Sequence, residues 1–249
     1  MKILYLDCSS GVSGDMLLGA LLDLGATGPG GRGFVAAVAH DLGRLRLPPW
    51  SWQVHRVRRR GFAALRVDVR PKATRSHGSP SLIASLEMRA RRAGLPPGVA
   101  AAGARIVGRI LQAESAVHGR RLAHVHLHEL EDVDTAVDVF GSLLALHRLG
   151  VERVFASPVT VGSGRVGTAH GDLPVPAPAT AEMVRSHGIP TTSGRLPFEA
   201  ATPTGVAILA GCVNEFTDGA GVRGERMGYG LGGRVASAPN ALCVSLGDH

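Results

Sequence analysis

The chain opens on Ile3-Leu4-Tyr5-Leu6, a short apolar run closed by Asp7 and a serine/glycine cluster. A run of that length, so bounded, reads as a buried strand. The cluster Cys8-Ser9-Ser10-Gly11-Val12-Ser13-Gly14-Asp15-Met16 then leads into a helical run, Leu17 to Leu24, that Gly25 is expected to stop. The same alternation continues. Ser51 to Arg70 alternates around Arg60-Gly61, which predicts a β-hairpin with strongly basic outer faces. Pro80–Arg92 and Pro97–Val117 read as helices, the second with Ile106, Ile110, Ala113 and Val117 on one face and Gly119 beyond its end. His124 to His128 alternates like a strand, and Asp132 caps a helix carried by Val133, Val137, Phe140 and Leu144 as far as Gly150. Val154–Val161 is read as one further strand.

The remainder is richer in loops. Pro174 to Pro178 favours an extended entry into a short helix near Thr180–Ser186. Thr202-Pro203-Thr204-Gly205 supplies a cap and a first-turn proline for a helix over Val206–Ala210. Gly228-Tyr229-Gly230-Leu231-Gly232-Gly233 reads as a flexible loop before a last strand, Leu242–Leu246. Interleaved strands and helices predict an α/β or α+β fold with a mixed sheet. At 249 residues the chain suits one domain, or two closely packed lobes divided near residues 120–150.

Composition narrows the class. With 45% hydrophobic residues the chain is too apolar for intrinsic disorder. No run of about 18 apolar residues predicts a membrane span, and Asp7 arrives before a signal-peptide core can form. Cys8, Cys212 and Cys243 are odd in number and far apart, which fits a reducing, cytoplasmic setting. The net charge of +7 comes from 25 Arg and only 2 Lys. Ten basic residues stand between 44 and 75 against Asp68 alone, whereas 129–138 holds Glu129, Glu131, Asp132, Asp134 and Asp138 with no base. The basic hairpin could steer an anionic substrate. With 4% aromatics there is little for stacking bases, and nucleic acid is not an expected partner.

Two constellations could carry chemistry. On a strand, His124, His126 and His128 share one face, and Glu129 follows them. Asp134 and Asp138 lie four apart on one helical stripe with Gly141 and Ala145, whose small size admits a close neighbour. Imidazoles on a strand facing carboxylates on a helix suit a divalent transition metal. The plainer alternative has Asp132 and Asp134 complementing the helix dipole and the histidines solvated. The second constellation is the turn Asp7, Ser10, Gly11, Ser13, Gly14, Asp15. Backbone N–H groups at a helix N-terminus would take a phosphate, while the two aspartates would invite a cation. Its bland alternative is a tight turn with Ser13 as N-cap. His170, beside Gly171, is a further candidate ligand or acid/base group.

At these residues the chain resembles a known family. Leu6 to Met16, His126-Leu127-His128-Glu129 with Asp134 and Asp138, Ser157-Pro158 through Gly162-Ser163-Gly164, and Leu173 to Thr180 are similar to the nickel-insertion (LarC) family. So are Thr202 to Gly205 and Gly228 to Gly230, in the same order along essentially the whole chain. The resemblance implies a nickel chelatase that inserts Ni2+ into pyridinium-3,5-bisthiocarboxylic acid mononucleotide, forming Ni–S and Ni–C bonds in the nickel-pincer cofactor of lactate racemase-type enzymes. It also implies coupling to CTP hydrolysis with Mn2+ or Mg2+, through a C-terminal domain that the chain is expected not to contain. The chain then reads as the family's N-terminal portion, working with a separately encoded C-terminal half or as a homo-oligomer. A non-catalytic nickel chaperone with the same ligands is the alternative. Many relatives carry a His-rich tract where this chain keeps only His77.

Overall fold

The computed structural model describes residues 1–59, 61–72, 80–119, 133–168, 171–193, 196–219, 224–234 and 240–248. Lys2–Asp7 forms β1, and the serine/glycine turn delivers the chain into helix α1, Gly14–Thr27. The helix runs past Gly25, which reads as a stop only from sequence. Every residue from Met16 to Gly25 is buried, so packing on all sides, not local propensity, decides its length.

A mixed seven-stranded sheet surrounds this helix, in the order β2-β3-β10-β11-β1-β4-β9. Here β2 is Trp50–Arg59, β3 Phe62–Pro71, β4 Arg153–Ala156, β9 Glu215–Phe216, β10 Arg226–Leu231 and β11 Ala241–Asp248. β1 sits between β11, antiparallel with Leu4 opposite Leu246, and β4, parallel with Leu4 opposite Val154. β2 and β3 pair antiparallel over their whole length. Of the α/β and α+β classes that the interleaved pattern allows, the helices and mixed sheet are those of an α/β fold.

The Gly228–Gly233 segment is not a flexible loop. Its first part belongs to β10, in the middle of the sheet, where Gly230 pairs with both Leu242 and Leu65. A Cβ on Gly230 would stand 1.7 Å from the Met16 carbonyl oxygen, and one on Gly228 2.3 Å from that of Ala20. The glycines of β10 let α1 lie directly on the strand backbone, as glycine does where two backbones must touch. Val154–Val161 is likewise not one strand. Ser157-Pro158 ends β4, and Val159–Thr160 (β5) pairs with Thr191–Thr192 (β8) in a separate small sheet. Arg165–Thr168 (β6) and Gly171–Pro174 (β7) form another hairpin.

The remaining helices are α2, Phe34–Arg44; α3, Pro80–Arg92; α4, Pro97–His118; α5, Val133–Leu149; α6, Pro178–Ser186; and α7, Pro203–Cys212. α5 packs along α1, with Gly141 admitting Leu18: a Cβ there would lie 3.0 Å from the Leu18 Cδ1. The small residue thus accommodates a side chain rather than another backbone. α4 rests on α3, α5, α6 and α7. Among the described residues no helix is long and apolar enough to cross a membrane.

Among the polar groups buried in this interior, one ties three elements together. Asp23 of α1, 3% exposed, accepts the Tyr229 N–H at 2.9 Å and pairs with the Arg56 guanidinium of β2. It ties α1 to two strands. Asp23→Ala leaves a strand N–H and a guanidinium without their acceptor and is expected to cost about 2–3 kcal/mol. Urea unfolding measures this, and a loss below about 0.5 kcal/mol would show the tie to be idle.

Candidate functional site

The site begins at the first residues of α1. Gly11 has φ +90 and its N–H donates to the Cys8 carbonyl, closing the turn after β1. A Cβ here would stand 2.1 Å from the Ala200 oxygen, so only glycine lets the turn press against the 200–202 segment. Val12 and Thr202 then exchange backbone bonds with that segment: Val12 N–H to Ala200 O at 2.9 Å and Thr202 N–H to Val12 O at 3.0 Å. Residues far apart in the sequence are thereby held side by side.

Ser13 occupies the N-cap position in extended conformation, yet its side chain makes no capping bond. Its hydroxyl donates instead to Asp15, whose same oxygen accepts the Met16 N–H at 2.9 Å. Burial raises the Asp15 pKa, and the Ser13 and Met16 donors and the Arg66 charge only partly offset this. Asp134 lies in the first turn of α5 and accepts the Thr135 N–H at 2.7 Å. One turn on, Asp138 is buried, and its Oδ1 has no hydrogen-bond partner among the described residues. Burial, with the nearby charges of Asp15 and Asp134, pushes its pKa well above the ordinary carboxylate range. Gly14 makes room for it: a Cβ there would lie 2.4 Å from the Asp138 Oδ2.

These groups face a common cavity of about 410 Å³. Asp68 of β3, Glu114 of α4 and Glu199 add three carboxylates, and Thr202 and Thr204 bring hydroxyls from the start of α7. No lysine or arginine is among its described lining residues, although Arg66 holds Asp68 from behind through Nε at 2.9 Å and Nη2 at 2.7 Å. The carboxylates around this cavity make a negative potential, to which Asp15 and Asp138 add only when ionised, and it draws cations and repels phosphate. Among the described residues no three of His, Cys, Asp and Glu are grouped so as to hold a metal ion. The described part supplies a field and one buried unpartnered oxygen.

Two constellations that look separate in sequence therefore meet. Ser13, Gly14 and Asp15 line the same cavity as Asp134 and Asp138. Asp7 does not line it; at the end of β1 its Oδ1 accepts the Ser9 N–H at 3.0 Å. Ser10 and Gly11 belong to the turn and do not line the cavity either. His124, His126, His128, Glu129 and His170 lie outside the described residues. Asp68, Glu114, Glu199, Thr202 and Thr204 were not legible as site residues. Thr202 and Thr204 stand in the Thr202–Gly205 motif, and Glu114 continues the i+4 stripe of Ile106 and Ile110, where a carboxylate is out of place.

Residues 4–249 match the family described as nickel insertion protein. The chain is 39% identical over 248 residues to the pyridinium-3,5-bisthiocarboxylic acid mononucleotide nickel insertion protein of Desulfitobacterium hafniense (strain DSM 10664 / DCB-2), covering 100% of this chain and 59% of that protein. It is 37% identical over 259 residues to the protein of the same name from Clostridium kluyveri, covering 100% of this chain and 62% of that one. The chain thus spans about three fifths of the length of these relatives. No solved structure matches it.

Proposed function

Because the chain belongs to the nickel insertion protein family, we propose that its acidic cavity receives Ni2+ as cargo for insertion into pyridinium-3,5-bisthiocarboxylic acid mononucleotide. The observation that carries this reading is Asp138, a buried carboxyl with an unpartnered oxygen facing a cavity lined by five further carboxylates. A carboxylate buried without a donor is costly unless it is protonated or meets a cation. The His124–Glu129 tract stands a few residues before α5 in sequence, and its imidazoles and carboxylate are the ligands we assign beside Asp134 and Asp138. Oxygen and nitrogen donors hold a borderline ion without committing it, so the softer thiocarboxylate sulfurs of the acceptor can take it. Forming a bond to ring carbon also releases the proton of the C–H that it replaces. Asp138, whose pKa burial raises, is the base we assign to accept that proton. Asp15 and Asp138 at the head of α1 favour this cation over a phosphate there.

Nickel titration by calorimetry is the test. About one ion per chain is expected near pH 7.5. At about pH 5.5 protonated imidazoles and the raised Asp138 carboxyl compete with the ion, so affinity should fall at least ten-fold. An affinity that is flat between these values would remove histidine and Asp138 from the ligand set.

A further inference from the structure

A second cavity has the opposite chemistry. Arg44, the last residue of α2, and Arg46 just beyond it meet Arg89 and Arg92 of the last turn of α3 around about 570 Å³. The other described lining residues are Leu45, Ser85, Met88 and Ala93, and no carboxylate is among them. Arg89 is fixed in place, donating through Nε to the Ser85 hydroxyl at 3.1 Å and through Nη1 to the Arg46 carbonyl at 2.6 Å. Arg46 has φ 49, and among the described residues it is the sole non-glycine with positive φ. A backbone in that region is held at a cost, and such residues gather at ligand sites.

Arginine content alone does not account for this. Several arginines elsewhere find acids: Arg91 pairs with Glu87 at 2.7 Å, Arg185 with Glu182 at 2.7 Å and Arg66 with Asp68, while others, such as Arg59 and Arg226, bond backbone carbonyls. The neighbouring cavity of about 550 Å³ shows the same habit, since its Arg148 sits on Asp41 through Nε at 3.0 Å. Arg44, on the wall between the two, comes within 3.7 Å of Asp41. The dipole of α3 explains cations in its last turn, but it does not explain a strained Arg46 meeting them from beyond the end of α2. Arg46, Arg89 and Arg92 have no acid partner among the described residues and Arg44 has only the outer contact to Asp41, so the guanidinium groups repel one another and an anion between them removes that repulsion.

We propose that this cavity binds a compact small-molecule polyanion carrying adjacent phosphate groups. Guanidinium forks match phosphate oxygens two at a time, and the volume suits a ligand of that size. The proposal does not depend on the nickel reading, and its test contains no metal.

Calorimetric titration with pyrophosphate at fixed ionic strength, with sulfate as comparison, decides it. One pyrophosphate per chain is expected, bound at least about ten-fold more tightly than sulfate. Arg92→Gln should weaken it about ten-fold. Arg46→Gly should do the same while leaving the melting temperature equal or higher, because glycine relieves the positive φ. Arg58→Gln, at an exposed position of β2, should leave affinity unchanged. Sulfate bound as tightly as pyrophosphate, or parental affinity in Arg92→Gln and Arg46→Gly, overturns the proposal. So does an equal loss in Arg58→Gln, which would reduce the effect to diffuse positive charge.

Discussion

Gly230→Ala is expected to cost more than about 4 kcal/mol and to leave the chain unfolded or aggregated. The added methyl would lie 1.7 Å from the Met16 carbonyl oxygen and 2.5 Å from the Ala20 nitrogen, both backbone atoms of a buried helix. Neither side can yield by rotating a side chain. β10 must leave α1, and with it go the pairings of Gly230 to Leu242 and Leu65 at the centre of the sheet. Gly43→Ala is the matching control, because nothing lies within 4 Å of its added Cβ in α2. There alanine should stabilise by about 0.5–1 kcal/mol through helix propensity. Urea melts followed by circular dichroism compare the two. A Gly230→Ala protein within about 1 kcal/mol of the parent would mean that helix and strand do not touch as described.

Asp138→Asn should have the largest effect on nickel, cutting loading at least about ten-fold, since metal sites lose that much even when supporting groups are changed. Its effect on stability has the opposite sign. The folded carboxyl pKa lies above the unfolded value near 4. Between those two values the folded state keeps a proton that the unfolded state has lost. Stability from this group is therefore greatest below about pH 4 and declines as pH rises through the window up to the folded pKa. Asparagine stays neutral throughout, so the variant should melt higher than the parent at neutral pH and show no such gain near pH 4. Asp15, shifted in the same direction by its own burial, keeps part of the slope in the variant. Nickel loss accompanied by a lower melting temperature at neutral pH would mark Asp138 as scaffold.

Periodicity made most helices legible. α3 and α4 start where their prolines suggested, and Thr202 caps α7 by accepting the Gly205 N–H at 3.3 Å. α2 gave no start signal, because its N-cap is Gly33 at φ 88 and no side chain caps it. β10 misled for a physical reason. Alternate glycines look like a loop when only conformational freedom is weighed, but here they are the space a helix occupies. At the site, Asp15 and Asp138 stand out in sequence by their neighbours. Their meeting does not, since it depends on how α1 and α5 pack, and no local pattern announces Asp68 or Glu199 on other elements.

The acidic cavity draws its walls from residues 13–15, 67–69, 114, 134, 135, 138, 199 and 202–204. No contiguous fragment holds them all, so the binding surface comes into being only with the complete tertiary structure. An occupant acts there as a reversible cross-link between distant parts of the chain. Its free energy then protects the whole cooperative unit, growing with the logarithm of free concentration over the dissociation constant. Amide exchange in α1 and β11, which line little or none of the cavity, should slow together with α5 when a cation binds. A ligand gripping one loop alone would quieten only that loop.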